Sequence, residues 1–426
     1  MKKALETLLH TVHENVSDVP FRVQFWDGDS INFGSGQSLF NLILKTERSA
    51  RRIFREGSLG FAEEYVSGNI IIEGDFKVLM RLGTDPSIQG MKIPLKTKLT
   101  LLVKHLQSLN TTKGSSRNVS HHYDRGNDFY RLYLDESMTY SCAYFRDNND
   151  SLEQAQQQKY EHICRKLQLT EGETLLDIGC GWGGMLVYAA RHYGIKGAGY
   201  TLSKEQAEYS RQLIKEMGLE KKIEIVLDDY RHITGQFDKF VSIGMFEHVG
   251  KGHIPTFMKQ VKTLLKPGGV GLLHTIGKER KTPSDGWTMK YIFPGGYIPV
   301  LDHVIKVMGK SGFVPMDIEN LRLHYAATLD RWAQRFEANT NKIESMFDEK
   351  FVRMWRIYLN GSAAAFRNGD LRLYQILFTN GLNNQFPLTR EHLYLVSGEK
   401  IQEAKYLFDF SENSFRTHVQ DSHRTV

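Results

Sequence analysis

The stretch Leu175-Leu-Asp-Ile-Gly-Cys-Gly-Trp-Gly-Gly184 decides the fold. Thr174–Ile178 reads as a buried strand, and Met185–Tyr193 reads as the helix that follows. Gly179, Gly181 and Gly183 let the backbone between them turn tightly and approach a ligand closely. The pattern repeats downstream. Gly197–Leu202 is a strand, Glu205–Met217 a helix, and Ile223–Leu227 and Phe237–Ile243 are strands. Ile254–Leu265 is a helix and Val270–Thr275 a strand. Such alternation predicts an α/β fold whose mostly parallel sheet is covered by helices on both faces. A ligand is then expected in the crevice beyond the carboxyl ends of the strands.

Taken literally, Gly179, Gly181 and Gly184 also satisfy the dinucleotide fingerprint. A nicotinamide cofactor would need an acid near the end of the next strand to bind its ribose. That strand, Gly197-Ala-Gly-Tyr-Thr-Leu-Ser203, has none. The acid stands before the glycines, at Asp177, and the third strand ends at Asp228-Asp-Tyr-Arg231. This arrangement resembles the S-adenosylmethionine methyltransferase pattern.

Upstream, Phe21–Trp26 and Ser30–Phe33 read as two strands around an Asp27-Gly28 turn, followed by a helical pattern over Ser38–Arg55. Gly57–Gly74 alternates short apolar runs with glycines. Leu95, Leu99, Leu102, Val103, Leu106 and Leu109 form one helical stripe. That helix reads either as packed on a core with a solvated lysine face, or as an interfacial helix touching lipid headgroups. Asn110–Arg117 has the small, polar composition of a linker. The expected domains are 1–110 (N-terminal, docking), 111–118 (linker), 119–396 (catalytic) and 397–426 (extension).

The chain has 426 residues and a net charge of +6, too mild to argue for nucleic acid. The placement of charge is more informative. Pro86–Tyr123 contains no Asp or Glu but holds Lys92, Lys96, Lys98, Lys104, Lys113 and Arg117, which suits an anionic phospholipid surface. The three cysteines, Cys142, Cys164 and Cys180, match neither a disulfide framework nor a zinc pattern, so no metal is expected and a reducing cytoplasm is. The N-terminus lacks the apolar core of a signal peptide, and no window is apolar enough to span a membrane.

Longer motifs name a family. They are Val119-Ser-His-His-Tyr-Asp-Arg-Gly-Asn-Asp-Phe-Tyr130, Met138-Thr-Tyr-Ser-Cys-Ala-Tyr-Phe145, Asp177–Gly184 and Phe237-Asp-Lys-Phe-Val-Ser-Ile-Gly-Met-Phe-Glu-His-Val-Gly250. Leu272-Leu-His-Thr-Ile-Gly277, Ile292-Phe-Pro-Gly-Gly296, His324-Tyr-Ala-Ala-Thr-Leu-Asp-Arg-Trp332 and Phe366-Arg-Asn-Gly-Asp370 follow in order. Together they resemble the cyclopropane fatty acid synthase family over about Val119–Tyr394, and more weakly over Gly60–Asp75. The resemblance implies a Rossmann-like class I methyltransferase with a mostly parallel seven-stranded sheet and a smaller N-terminal mixed α/β domain.

It also implies a reaction. A methylene derived from S-adenosylmethionine is added across the cis double bond of an acyl chain esterified in phospholipid, with bicarbonate as base. Residues matching the family's bicarbonate cage are Cys142, Glu247, His274, Ile276 and Tyr325. Those matching its cofactor contacts are Tyr123, Tyr140, Ser141, Gly179, Gly181, Thr201, Gln206, Asp229 and Tyr230, with Asp177 supporting the loop. Thr201 and Gln206 would replace the missing strand-end acid, and Tyr230 would meet the adenine. Glu247 and His274 are expected just past the ends of the fourth and fifth strands. Cys142, set among Tyr140, Tyr144 and Phe145, is expected to be buried and inert. The His121-His122 pair reads equally as a solvent-facing helix start. A homodimer, peripherally bound to the inner face of the membrane, completes the expectation. The alternatives are a methyl-branched rather than a cyclopropane product, a small-molecule N-methyltransferase of the coclaurine type, and a non-catalytic lipid-binding protein.

Overall fold

Phe21–Gln24 (β1) and Ser30–Phe33 (β2) pair antiparallel, joined through Asp27-Gly28 with Gly28 at φ 89°. Phe40–Leu44 (β3) lies parallel to β1, and Ile70–Gly74 (β4) closes the order β2-β1-β3-β4. The helix expected over Ser38–Arg55 therefore divides. Phe40, Leu42 and Leu44 alternate inward as a strand, and the helix spans only Glu47–Glu56. Thr46 starts it by accepting the Ser49 amide at 3.3 Å, as an N-cap does.

These elements belong to a computed structural model in which residues 1–16, 19–85, 125–282 and 285–394 are described. Met1–Asn384 forms one unit. Gln385–Val426 forms a second, in which Glu391–Leu393 makes a single helical turn. The Leu95–Leu109 helix, the 111–118 linker, the 397–426 extension, His121, His122 and all the basic residues of Pro86–Tyr123 lie outside the described residues.

The main sheet comprises Thr174–Ile178 (β5), Lys196–Thr201 (β6), Ile223–Leu227 (β7), Phe237–Ile243 (β8), Leu265–Gly277 (β9), Phe313–Asn320 (β10) and Arg372–Asn380 (β11). Its order is β10-β11-β9-β8-β5-β6-β7. Strands β7 to β9 in this order are parallel, and β11 pairs antiparallel with both β9 and β10. The sequence reading thus holds for five strands, and the antiparallel pair completes seven. Leu175, Leu176 and Ile178 are almost fully buried, as a central parallel strand requires.

Helices Arg322–Ala338 and Glu349–Asn368 pack together, and the second also packs on helices Ser58–Val66 and Phe76–Gly83 of the N-terminal lobe. Phe21, Phe40, Trp332 and Trp355 accordingly share one core. Arg356 donates to the Tyr65 hydroxyl at 3.3 Å, and Lys290 meets Glu63 at 2.7 Å. Among the described residues, no helix is long and apolar enough to cross a membrane.

Candidate active site

The turn after β5 forms the floor of a cleft at the carboxyl edge of the sheet. Gly179, Gly181 and Gly183 all hold positive φ, at 84°, 56° and 84°. The amides of Gly179 and Cys180 both donate to the Tyr200 carbonyl, at 2.8 and 3.1 Å, which ties the turn to β6. A Cβ at Gly179 would stand 2.5 Å from that of Met245, so the turn also needs glycine for space. The cleft measures about 1260 Å³ with its open mouth included.

Tyr140, Ser141, Gly179, Gly181, Thr201, Gln206, Asp229 and Tyr230 all line it. Tyr123 lies outside the described residues. The Thr201 hydroxyl donates to Gln206 Oε1 at 2.8 Å, so the two residues expected to replace a strand-end acid form one polar wall. Asp229 is held by Arg231, whose Nε donates to Oδ1 at 2.7 Å, and it caps the turn that carries Tyr230. Asp177 lines the floor, but its Oδ1 is buried and meets no partner among the described residues, so it lends the loop no hydrogen bond there. Burial pushes its carboxyl up to about 7.

The second group gathers behind this cleft. Cys142 Sγ lies 3.9 Å from the Leu321 carbonyl, which also accepts the Tyr325 amide at 3.1 Å. Leu321 in turn donates to the Leu373 carbonyl at 2.8 Å, and Leu373 pairs with Ile276 across β11 and β9. His274 and Ile276, two residues apart, share one face of β9. Glu247, in the short turn Phe246–His248 after β8, accepts the Ile276 amide through Oε1 at 2.5 Å. One position needs correction. His274 is not past the end of its strand, because pairing with β11 extends β9 to Gly277. It is β8 that stops, with Ile243 opposite His274.

Three buried atoms here have no partner among the described residues: Glu247 Oε2, His274 Nε2 and Gln375 Oε1. Burial pushes Glu247 up to about 7, against the pull of the Ile276 amide. It drives His274 well down, so the ring is neutral. Gln375 Nε2 donates to His274 Nδ1 at 3.2 Å, which puts the ring proton on Nε2 as an unused donor. Burial raises the Cys142 thiol and keeps it protonated, which fits an inert role. Tyr325 packs on Phe366 at 4.5 Å between ring centroids and meets the edge of Trp332. Tyr140 stacks on Trp332 at 5.1 Å and shares a 2.7 Å hydrogen bond with the Tyr358 hydroxyl.

Sequence reasoning passes over three residues. Gln375 orients His274. Gln156 and Lys159 project from the buried side of helix Leu152–Leu167 onto the Tyr140–Cys142 segment. Gln156 Nε2 donates to the Ser141 carbonyl at 2.9 Å, and Lys159 Nζ to the Ser141 hydroxyl at 3.0 Å. A legible signal existed, since both sit where the helix's apolar stripe should run.

This sheet, with a glycine turn at the floor of its cleft, is that of a class I S-adenosylmethionine-dependent methyltransferase. The profile of the mycolic acid cyclopropane synthetase family matches residues 110–376, and the chain belongs to that family. A domain of unknown function matches residues 8–86. The chain is 38% identical to the cyclopropane-fatty-acyl-phospholipid synthase of Escherichia coli, over 84% of this chain and 92% of that one. It is 35% identical to a "Probable fatty acid methyltransferase" of Pseudomonas putida, over 88% and 96%. The crystal structure of mycolic acid cyclopropane synthase CmaA1 with SAH and CTAB is similar at a TM-score of 0.60. It shares 35% identity and covers 62% of this chain and 98% of that one.

Proposed function

We propose that this enzyme forms cyclopropane fatty acids by adding a methylene across the cis double bond of unsaturated acyl chains in membrane phospholipids. The observation that carries the reading is the buried donor and acceptor, His274 Nε2 and Glu247 Oε2, left without a partner among the described residues; Glu247 lies in the turn whose Met245 and His248 line the cleft, and His274 lies opposite Ile243, which also lines it. Bicarbonate suits both, since it carries an O–H for Glu247 and oxygens for His274.

S-adenosylmethionine, when bound, supplies an electrophilic methyl. Thr201, Gln206, Asp229 and Tyr230 would hold its nucleoside end, and Tyr140, Ser141 and the Gly179 turn its methionine end. The alkene would take the methyl as the S–CH3 bond breaks and S-adenosylhomocysteine leaves as the neutral thioether, so the positive charge would pass to the neighbouring acyl carbon. Bicarbonate, if held there by Glu247 and His274, would supply the base for the proton that the transferred methyl loses as the ring closes. Glu247 and His274 fix the orientation of the ion in advance, which matters because the cation is short-lived. Trp332, Phe366 and the ring of Tyr325 exclude water, and the faces of Tyr140 and Tyr325 stabilise positive charge.

A second reading has its own support, because the Pseudomonas putida relative is named for fatty acid methyl transfer. The same cation could lose a different proton and leave a methyl-branched chain. In either case the acyl chain must come from a bilayer that the described helices do not cross. Peripheral docking on an anionic inner membrane face, through the basic Pro86–Tyr123 stretch and by a homodimer, meets that need. Mass spectrometry of lipids from a cell expressing the chain tests both readings. A ring and a methylidene branch are isomers, so the acyl chain must be fragmented. Unaltered lipids would overturn both.

A further inference from the structure

Lys159 is 1% exposed, among the least exposed charged groups of the described residues. Burying an ammonium costs several kcal/mol unless an anion compensates. No described carboxylate forms an ion pair with it. Its one hydrogen bond goes to the neutral Ser141 hydroxyl at 3.0 Å, and its Nζ rests 4.2 Å from the centre of the Tyr160 ring. Asp135 is close enough to be felt, but its oxygens are taken by the amides of Ser137 and Thr139, both at 2.9 Å. Burial accordingly drives the lysine down to about 8, against the attraction of Asp135 and Asp177.

Three N–H donors on one Nζ, with a single acceptor, leave capacity unused. Lys159 lines the cleft beside the Gly179 turn, as does Asp177, whose buried Oδ1 also lacks a partner. A buried donor and a buried acceptor of opposite charge thus border the same end of the cleft. The acidic and aromatic wall of Asp229 and Tyr230 follows β7, two strands away from β5. A ligand with a zwitterionic end satisfies both unused groups at once.

We propose that Lys159 binds the carboxylate of the methionine end of S-adenosylmethionine, acting beside the Ser141 hydroxyl that it also holds in place. This rests on the cleft being the cofactor site. It assigns an electrostatic contact to a residue outside every motif that points to the cofactor. Lys159 also explains why Ser141 faces the cleft, because the lysine anchors its hydroxyl and Gln156 its carbonyl.

The test is calorimetry on the full chain with S-adenosylmethionine and with its decarboxylated form, which lacks only the carboxylate. A charge-assisted hydrogen bond predicts that the wild type prefers the intact cofactor by about tenfold or more. Lys159→Met should bring the two ligands to within about twofold by weakening the intact cofactor alone. A variant that binds both more weakly in equal measure, or that keeps the full preference, would overturn the assignment. If Lys159→Met does not fold, the wild type still decides, because a preference below about threefold would be too small for such a contact. Binding of neither ligand would remove the cofactor assignment itself, and this proposal with it.

Discussion

Glu247 accepts the Ile276 backbone amide at 2.5 Å through Oε1, while its other oxygen is buried without a partner. One oxygen fixes the side chain against β9, so the other is held in place without being consumed. This division suits a group that orients a small ion. Removing it should harm the chemical step rather than cofactor capture. Glu247→Ala should lower kcat by about a hundredfold or more, in the range that positioned acid–base groups contribute. Affinity for S-adenosylmethionine, read by calorimetry, should change little. Parallel losses in both quantities would sink the assignment.

The same residue predicts a pH dependence. Burial pushes Glu247 up to about 7, so its carboxylate takes up a proton as pH falls through neutrality. Once protonated, it can no longer accept the O–H of bicarbonate. Turnover at fixed bicarbonate concentration should therefore drop below about pH 7. A profile that stays flat down to pH 5 would show that the ionised form is not required.

The central sheet was readable because strands buried on both faces appear as short apolar runs, and the glycines at 179, 181 and 183 mark the turn between strand and helix. Phe40–Leu44 was not readable in the same way. Apolar residues at 40, 42 and 44 fit the strand period, but with the polar run after Thr46 they also fit the start of a helix. Gln375 escaped because it meets His274 only through the register of β9 and β11, 101 residues apart in sequence. Lys159 escaped because a lysine on a helix is normally read as solvated, although its place on the apolar stripe of Leu152–Leu167 marks it as facing inward.

A buried ion cluster lies behind the active site. Glu319 Oε2 takes His162 Nε2 at 2.8 Å and Lys166 Nζ at 2.5 Å, and Lys166 is fully buried. Burial opposes the charge of Glu319, but His162 and Lys166 overcome it and hold the carboxyl at about 2, below its ordinary 4.5. Glu319→Gln removes the carboxylate that meets the buried Lys166 and should cost about 3 kcal/mol of stability at pH 7. The folded value is the lower one, so this contribution is complete above about pH 4.5 and fades as pH falls towards 2. Chemical denaturation of wild type and variant should show the gap narrowing between pH 5 and pH 3. A gap independent of pH would point to packing instead.

Two glycines of the same turn should respond differently to alanine. At Gly179, φ is 84° and the new Cβ would meet the Met245 side chain at 2.5 Å. At Gly181, φ is 56° and nothing lies within 4 Å. Gly181→Ala should cost about 1 kcal/mol of backbone strain, and Gly179→Ala about 3 kcal/mol from strain and overpacking together. Only the second should also distort the cofactor cleft. Denaturation midpoints and cofactor affinity, measured side by side, check the order; equal costs would contradict it.

Docking on an anionic membrane rests on charge, and charge reversal tests it. Lys96, Lys98 and Lys104 fall in a stretch of 38 residues, Pro86–Tyr123, without a single acid. A basic residue near an anionic surface contributes about 1 kcal/mol to binding. Replacing all three with Glu should therefore weaken binding to phosphatidylglycerol vesicles by about a hundredfold or more. The residual binding should lose its dependence on ionic strength, because the screened attraction is what was removed. Cofactor affinity should stay unchanged, since no residue of the stretch except Tyr123 is assigned to the cofactor. Undiminished sedimentation with vesicles would remove these lysines from the docking surface and move it elsewhere.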